Sequence, residues 1–304
     1  MTNQRKQQTS CVLRIFGAEE QQLQDLTTQL SFGGKLTAQY RCRGAETLLA
    51  LQSEQPGILQ KAANKVRKEL GAAVYAEGET ALAEALVQTL EHHRCLLTSA
   101  DAAAGAFLES RLEAVPGADK VFDFGSMSYA DERTAAQIDQ LAHRRAKRPG
   151  ELELARSRVR AARQLVDTDL AVACVEREDR ITLLVGSKKG CWLRTVRTED
   201  GPGLWLMDII RRAACGLPQA AGTLWHRWKE PVPENVMPPA EMCKQAELPQ
   251  RGPHKGACFG RGVLVLLLAA ALLAAGWYYT GGNIEMLLQL WKQQDMSFSD
   301  ARMI

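Results

Sequence analysis

No two cysteines stand two residues apart in this sequence. Its eight cysteines are Cys11, Cys42, Cys95, Cys174, Cys191, Cys215, Cys243 and Cys258, which excludes zinc-ribbon and thioredoxin-type spacing and reads as free buried thiols in a reducing compartment. An excess of one charge is missing too. Lys plus Arg is 38 against 35 Asp plus Glu, a net charge of +3, so neither a strongly basic nucleic-acid coat nor an acidic disordered tail describes the chain. Walker A, H-E-x-x-H and G-x-G-x-x-G patterns do not occur. Only one segment is long and apolar enough to cross a bilayer, which excludes a multi-span transporter. The opening MTNQRKQQTSCV is polar, and charge returns at Arg14. No secretory leader is therefore expected, and the bulk of the chain is expected in the cytosol.

What is there is a globular chain. An apolar fraction of 46% and a charged fraction of 24% over 304 residues allow one large domain or two small ones with a real core. Gly262 to Tyr279 holds no charged residue, and with Thr280 to Gly282 the run is 21 residues. At about 1.5 Å per residue this makes roughly 30 Å, the thickness of a hydrocarbon core. Trp277, Tyr278 and Tyr279 sit at one end, where amphipathic rings favour the headgroup level. The reading is one transmembrane helix, 262–282. Lys244, Arg251, Lys255 and Arg261 precede it and only Lys292 closely follows. The large N-terminal body is thus expected on the cytoplasmic face of the cell membrane, in single-pass topology. The tail, 283–304, is expected outside. Its Ile284, Leu287, Leu288 and Trp291 share a helical face, which fits either an interfacial helix or a continuation of the span.

Seven of the eleven prolines lie between Pro218 and Pro253, so residues 218–261 read as a Pro-rich linker. The folded body then ends near Leu217, with Trp225, His226 and Trp228 left to dock on the body or on the membrane surface. Within the body, strand, helix and turn signals predict β-α-β-β-α-β over residues 11–78, a small α+β subdomain. In 79–217 the pattern predicts helices at about 79–93, 102–114, 135–143, 151–166 and 204–215. Strands are predicted at 95–99, 121–129, 170–175, 181–185 and 191–197. That alternation predicts a layered α/β/α domain.

The run VYAEGETALAEALVQTLEHHRCLLTSADAAAGAFLESRLEAVPGADKVF, continued by GSMSYADERT, resembles the CinA C-terminal domain. Members of that family are nicotinamide-nucleotide amidohydrolases, which deamidate nicotinamide mononucleotide. Residues 11–78 are similar to the small KH-like subdomain of full-length CinA, whose larger N-terminal domain has no counterpart here. The family carries A-E-S-C-T-G-G at a helix start. Alignment on Val115-Pro116-Gly117 sets Ala100 to Ala106 there, with Ala102 at the serine position and Ala104 at the threonine position. Of the family's Y-S-N-E-A-K, Tyr129 remains and Thr134 replaces the lysine. A glycine-rich loop after the strand matching Leu170 to Ala173 is missing.

Each loss has a chemical meaning. Amide hydrolysis needs a nucleophile and a base, and a methyl group supplies neither. Asp101 is placed to cap the helix and to compete with an anionic ligand for its N–H groups. The expectation is a membrane-anchored, catalytically inactive CinA-like binding or scaffolding module, with no catalytic residues, no cofactor and no metal. A homo-oligomer is the assembly that the resemblance implies. The alternative is an active pyridine-nucleotide amidohydrolase with relocated residues, Ser126 or Ser128 with Tyr129. The other serines and bases in reach, Ser99, His92, His93, Arg133 and Lys120, read as capping or surface groups. A second alternative uses the basic face. Residues 144–163 hold eight Lys/Arg and two acids, and Arg156, Arg160 and Arg163 share a helical side suited to anionic lipid. Nucleic acid is not an expected partner, because a KH fold grips nucleotides with a G-x-x-G loop and none occurs in 11–78.

Overall fold

The computed structural model describes residues 9–31, 34–146 and 150–231, all within the compact unit formed by residues 1–244. The first six elements are β1 (Thr9–Phe16), α1 (Glu20–Ser31), β2 (Thr37–Arg43), β3 (Glu46–Ser53), α2 (Pro56–Leu70) and β4 (Val74–Glu77). They follow the predicted order. Pro56 stands in the first turn of α2, where its missing N–H costs nothing. The strands form an antiparallel sheet in the order β2-β3-β1-β4. Alternate residues of β1 and β3 (Leu13, Ile15, Leu49 and Leu51) bury against Leu23 and Leu26 of α1 and Leu59 and Val66 of α2. This is the period-two and period-3.6 pattern meeting in one core.

The larger part contains α3 (Leu82–His93), β5 (Leu97–Ser99), α4 (Ala102–Leu112), α5 (Glu132–Arg145) and α6 (Glu151–Leu165), then β6 (Leu170–Arg177), β7 (Arg180–Gly186), β8 (Gly190–Arg197), α7 (Pro202–Cys215) and β9 (Leu224–Arg227). The sheet order is β5-β6-β7-β8-β9. β5 and β6 are parallel and the other pairs antiparallel. Each strand splits its side chains between two cores. Leu170, Val172, Leu183 and Val185 face α3, α4 and α7, while Ala171, Ala173, Leu184 and Leu193 face α5 and α6. The domain is therefore three-layered, α/β/α, as the sequence predicts. Small alanines on the second face let α6 lie close to the sheet.

Three expectations need correction. Residues 121–129 are not a strand. Phe122 makes a single parallel bridge to Leu97, after which the chain turns. The cause is Asp123: its carboxylate accepts the Met127 N–H at 2.8 Å and the Ser126 hydroxyl at 3.1 Å, offering the backbone a local alternative to a ladder. Phe124 and Gly125 both take positive φ there. The linker does not begin at 218, because β9 extends the sheet by pairing with β8, and Trp225 packs at a tilt against Trp192 with centroids 4.5 Å apart. Finally, Arg156 is not on an open basic face. It is buried, pairs with Glu153 at 3.2 Å and donates to the carbonyls of Arg227 and Glu230. Docking of Trp228 and its chain onto the body covers it.

Of the six cysteines among the described residues all are free, with Cys95 and Cys191 buried and Cys42 exposed. Among the described residues no helix is long and apolar enough to cross a membrane. The expected span at 262–282, the rest of the linker to 261 and the tail at 283–304 lie outside the described residues.

Candidate functional site

The site grows from the carboxyl end of β5. Ala100 donates its N–H to the Val172 carbonyl of β6 at 2.7 Å, which pins the chain at the sheet edge just before α4. Asp101 then leaves the strand with extended backbone and caps α4. Its Oδ1 accepts the Ala104 N–H at 2.8 Å and its Oδ2 accepts the Cys174 N–H of β6 at 3.1 Å. Burial pushes the Asp101 carboxyl up, against the pull of those two N–H groups and of Arg158. Ala102 is exposed and Ala104 buried. The helix start offers methyl groups and a carboxylate that belongs to the chain itself.

Tyr129 closes the other side. Its ring lies against Gly105 so closely that any β-carbon there would collide with it. Its hydroxyl donates to Glu109. Burial, the bond to Glu109 and the charges of Glu109, Asp123 and Asp101 all push the phenol above its ordinary range. It stays protonated at neutral pH and is no base. Thr134 sits in the first turn of α5, its N–H held by Asp131 at 2.9 Å. It does not reach Tyr129 or Asp101 through any hydrogen bond of the structure.

The relocated candidates are equally committed. Ser128 is fully buried and donates to Asp123, as Thr98 does at 3.1 Å. Ser126 is exposed and bonds the Asp123 carbonyl at 2.9 Å. Ser99 donates to the Asp101 carbonyl at 2.7 Å. The Cys174 thiol lies 3.8 Å from Asp101, and burial together with that carboxylate pushes it far up, away from the thiolate that would attack a substrate. Lys120 pairs with Glu91 at 3.7 Å. His92 and His93 close α3 at the opposite end of β5, where they line a cavity of about 340 Å³ with Tyr75, Gln88 and Thr89. Among the described residues no group of three His, Cys, Asp or Glu is arranged to hold a metal.

β6 passes to β7 through Glu178 and Asp179 alone, with Glu178 at positive φ. This tight hairpin stands where the resemblance places a glycine-rich loop. It walls a cavity of about 460 Å³ shared by Phe107, Arg111, Glu176, Arg180, Pro202 and Gly203. Sequence reasoning missed Asp123, Glu109 and Arg111. For Asp123 a signal existed: F-D-F-G-S-M-S is an Asx-turn composition. Glu109 and Arg111 are ordinary charged helix residues until the fold aims them.

Residues 79–175 match the family model of the CinA C-terminal domain. A CinA-like protein of Desulfovibrio desulfuricans is 27% identical over 260 residues, covering 74% of this chain and 59% of that protein. A CinA-like protein of Dictyoglomus turgidum is 30% identical over 131 residues, 40% of this chain and 32% of that one. A Clostridium perfringens protein bearing a competence-damage inducible name is 26% identical over 129 residues, which is 31% of its length. The match thus spans less than two thirds of each of these relatives. Among solved structures, a CinA superfamily protein of Klebsiella pneumoniae overlaps 44% of this chain and 96% of its own at 13% identity and a TM-score of 0.36. One of Escherichia coli overlaps 44% and 85% at 18% identity and a TM-score of 0.28. Over residues 79–175, from the approach to α3 through most of β6, this chain is therefore similar to the CinA C-terminal domain.

Proposed function

We propose that this protein is a catalytically silent CinA-like module held at a membrane by residues 262–282, and that its body binds or scaffolds without hydrolysing nicotinamide mononucleotide. One observation carries the reading. The Asp101 carboxylate takes the Ala104 N–H at the start of α4 and the Cys174 N–H of β6, and Ala102 and Ala104 stand where the resemblance calls for hydroxyls. An anionic substrate or intermediate would have to displace a negative charge from those amides and would find no nucleophile beside them. The hydroxyl and thiol groups nearby are each bonded elsewhere or held protonated, and losing one member of a nucleophile–base pair already costs orders of magnitude in rate. In this reading residues 11–78 are a KH-like subdomain without the nucleotide-gripping loop.

The test is ammonia release by the full chain supplied with nicotinamide mononucleotide. The expected rate equals that of buffer alone. A turnover that disappears in Ser126→Ala, Ser128→Ala or Tyr129→Phe would overturn the reading and favour relocated catalysis. The anchor has its own test. The full chain should remain with vesicles through alkaline carbonate washing, and a chain lacking residues 262–282 should not.

A further inference from the structure

Helices α5 and α6 pack side by side and carry seven arginines. Arg156 pairs with Glu153 and Arg158 with Asp139 at 2.6 Å, and Arg163 donates to the Thr168 carbonyl. Two of the others lie toward Trp228. Arg145, in the last turn of α5, has its Nη1 shut away from water without a hydrogen-bond partner. Arg160, exposed on α6, lies 5.9 Å from the ring centroid of Trp228 and close enough to Arg145 for the two charges to oppose each other. Neither forms an ion pair among the described residues. Trp228 is held in place by its Nε1–H, which donates to the Ser187 carbonyl at 3.0 Å. Two unmatched guanidinium groups side by side repel, and a phosphate that accepts from both removes the repulsion. A tryptophan beside them adds an amphipathic ring of the kind that favours a lipid–water boundary.

We propose that Arg145, Arg160 and Trp228 form a docking surface for anionic lipid headgroups. The proposal rests on the reading that residues 262–282 hold the chain at a bilayer. Lipid is the occupant because charge complementarity calls for phosphate and because only residues 232–261 of the sequence separate Trp228 and its turn from the proposed span at 262–282. Arg156, by contrast, fastens β9 and the Trp228 turn to the body and does not face lipid.

The experiment uses the full chain with vesicles of phosphatidylcholine alone or mixed with phosphatidylglycerol, and reads hydrogen exchange in α5, α6 and residues 224–231. Exchange should slow several-fold at the end of α5 and around Trp228 only with phosphatidylglycerol, and high salt should abolish the difference. The Arg145→Gln/Arg160→Gln double variant should lose the slowing while α4 keeps its protection, showing an intact fold. Equal exchange in both vesicle types, with the chain resistant to carbonate in both, overturns the headgroup surface and leaves the anchor standing. A chain that associates with neither vesicle overturns both. Slowing by inorganic phosphate in phosphatidylcholine vesicles overturns the lipid assignment in favour of a soluble phosphate ligand. Unchanged slowing in the double variant overturns the choice of residues.

Discussion

Asp101 and Asp131 do the same local work in different surroundings. Each caps a helix by accepting the N–H three residues on, at 2.8 Å from Ala104 and 2.9 Å from Thr134. Asp131 faces water, and its bond to Thr134 holds its carboxyl below the ordinary range. Asp101 sits between α4 and β6, and burial pushes it the other way despite a second N–H from Cys174. The cap is a local device, readable from an Asp ahead of a helical pattern. The electrostatic cost of placing it between α4 and β6 is a property of the assembled sheet. A third carboxylate, Asp208, shows the remaining option. It is buried with two guanidinium partners, Arg211 at 2.6 Å and Arg212 at 2.7 Å. Those arginines go on to the carbonyls of Ala72 and Phe16 in the smaller sheet's part of the chain, tying α7 to that region.

The comparison can be broken most forcefully at Asp208. Asp208→Ala leaves two buried guanidinium groups without compensation and should cost about 3–5 kcal/mol in denaturant unfolding. A loss below about 1 kcal/mol would mean that water, rather than the carboxylate, satisfies them. Next comes the wall beside Asp101. Gly105→Ala drives a methyl into the Tyr129 ring and should cost about 1–3 kcal/mol, and Gly105→Ala/Tyr129→Ala should recover part of it in a double-mutant cycle. A fully additive pair would deny the contact. Asp101→Ala removes the cap of α4 and should cost about 0.5–2 kcal/mol, whereas Asp101→Asn, which keeps an acceptor, should cost less. Equal losses would show that charge rather than hydrogen bonding holds the cap.

The smallest effect sharpens the contrast most. Because Asp101 is raised in the folded state, the native protein binds more protons there than the unfolded chain. Its contribution is fully present below the unfolded carboxylate value of about 3.9 and falls as pH rises through the folded one. Asp131 is lowered, so its contribution is present above about 3.9 and is lost as pH falls through the folded value. Urea midpoints of wild type against Asp101→Asn and Asp131→Asn between about pH 3 and pH 7 should therefore drift in opposite directions. Parallel drifts would remove the distinction between the two caps.

Most of the fold was legible from residues 11–78 and 79–217, because their apolar positions keep a clean period of two or 3.6 and Pro56, Gly71 and Gly117 punctuate them. Two elements were not. Residues 121–129 carry a strand-like apolar composition, but Asp123 collects four donors and folds the segment into turns. β9 is four residues long and lies among prolines, so only its pairing with β8 reveals it. Of the site, the cap at Asp101 and the alanines at 102 and 104 could be read in advance. The ring of Glu109, Asp123 and Asp101 around Tyr129 could not, since its members lie on α4, on the turn after Phe122 and at the end of β5.

By itself the sequence determined the absence of a hydroxyl at the head of α4, the caps of two helices and the alternation that builds both sheets, because each depends on residues within a few positions of one another. Only the tertiary structure decided which charges are spent inside and which remain outside. Arg156 is consumed by the carbonyls of Arg227 and Glu230 while Arg160, one turn on, is left unmatched, since burial and partnership depend on which distant backbone comes to rest against a helix.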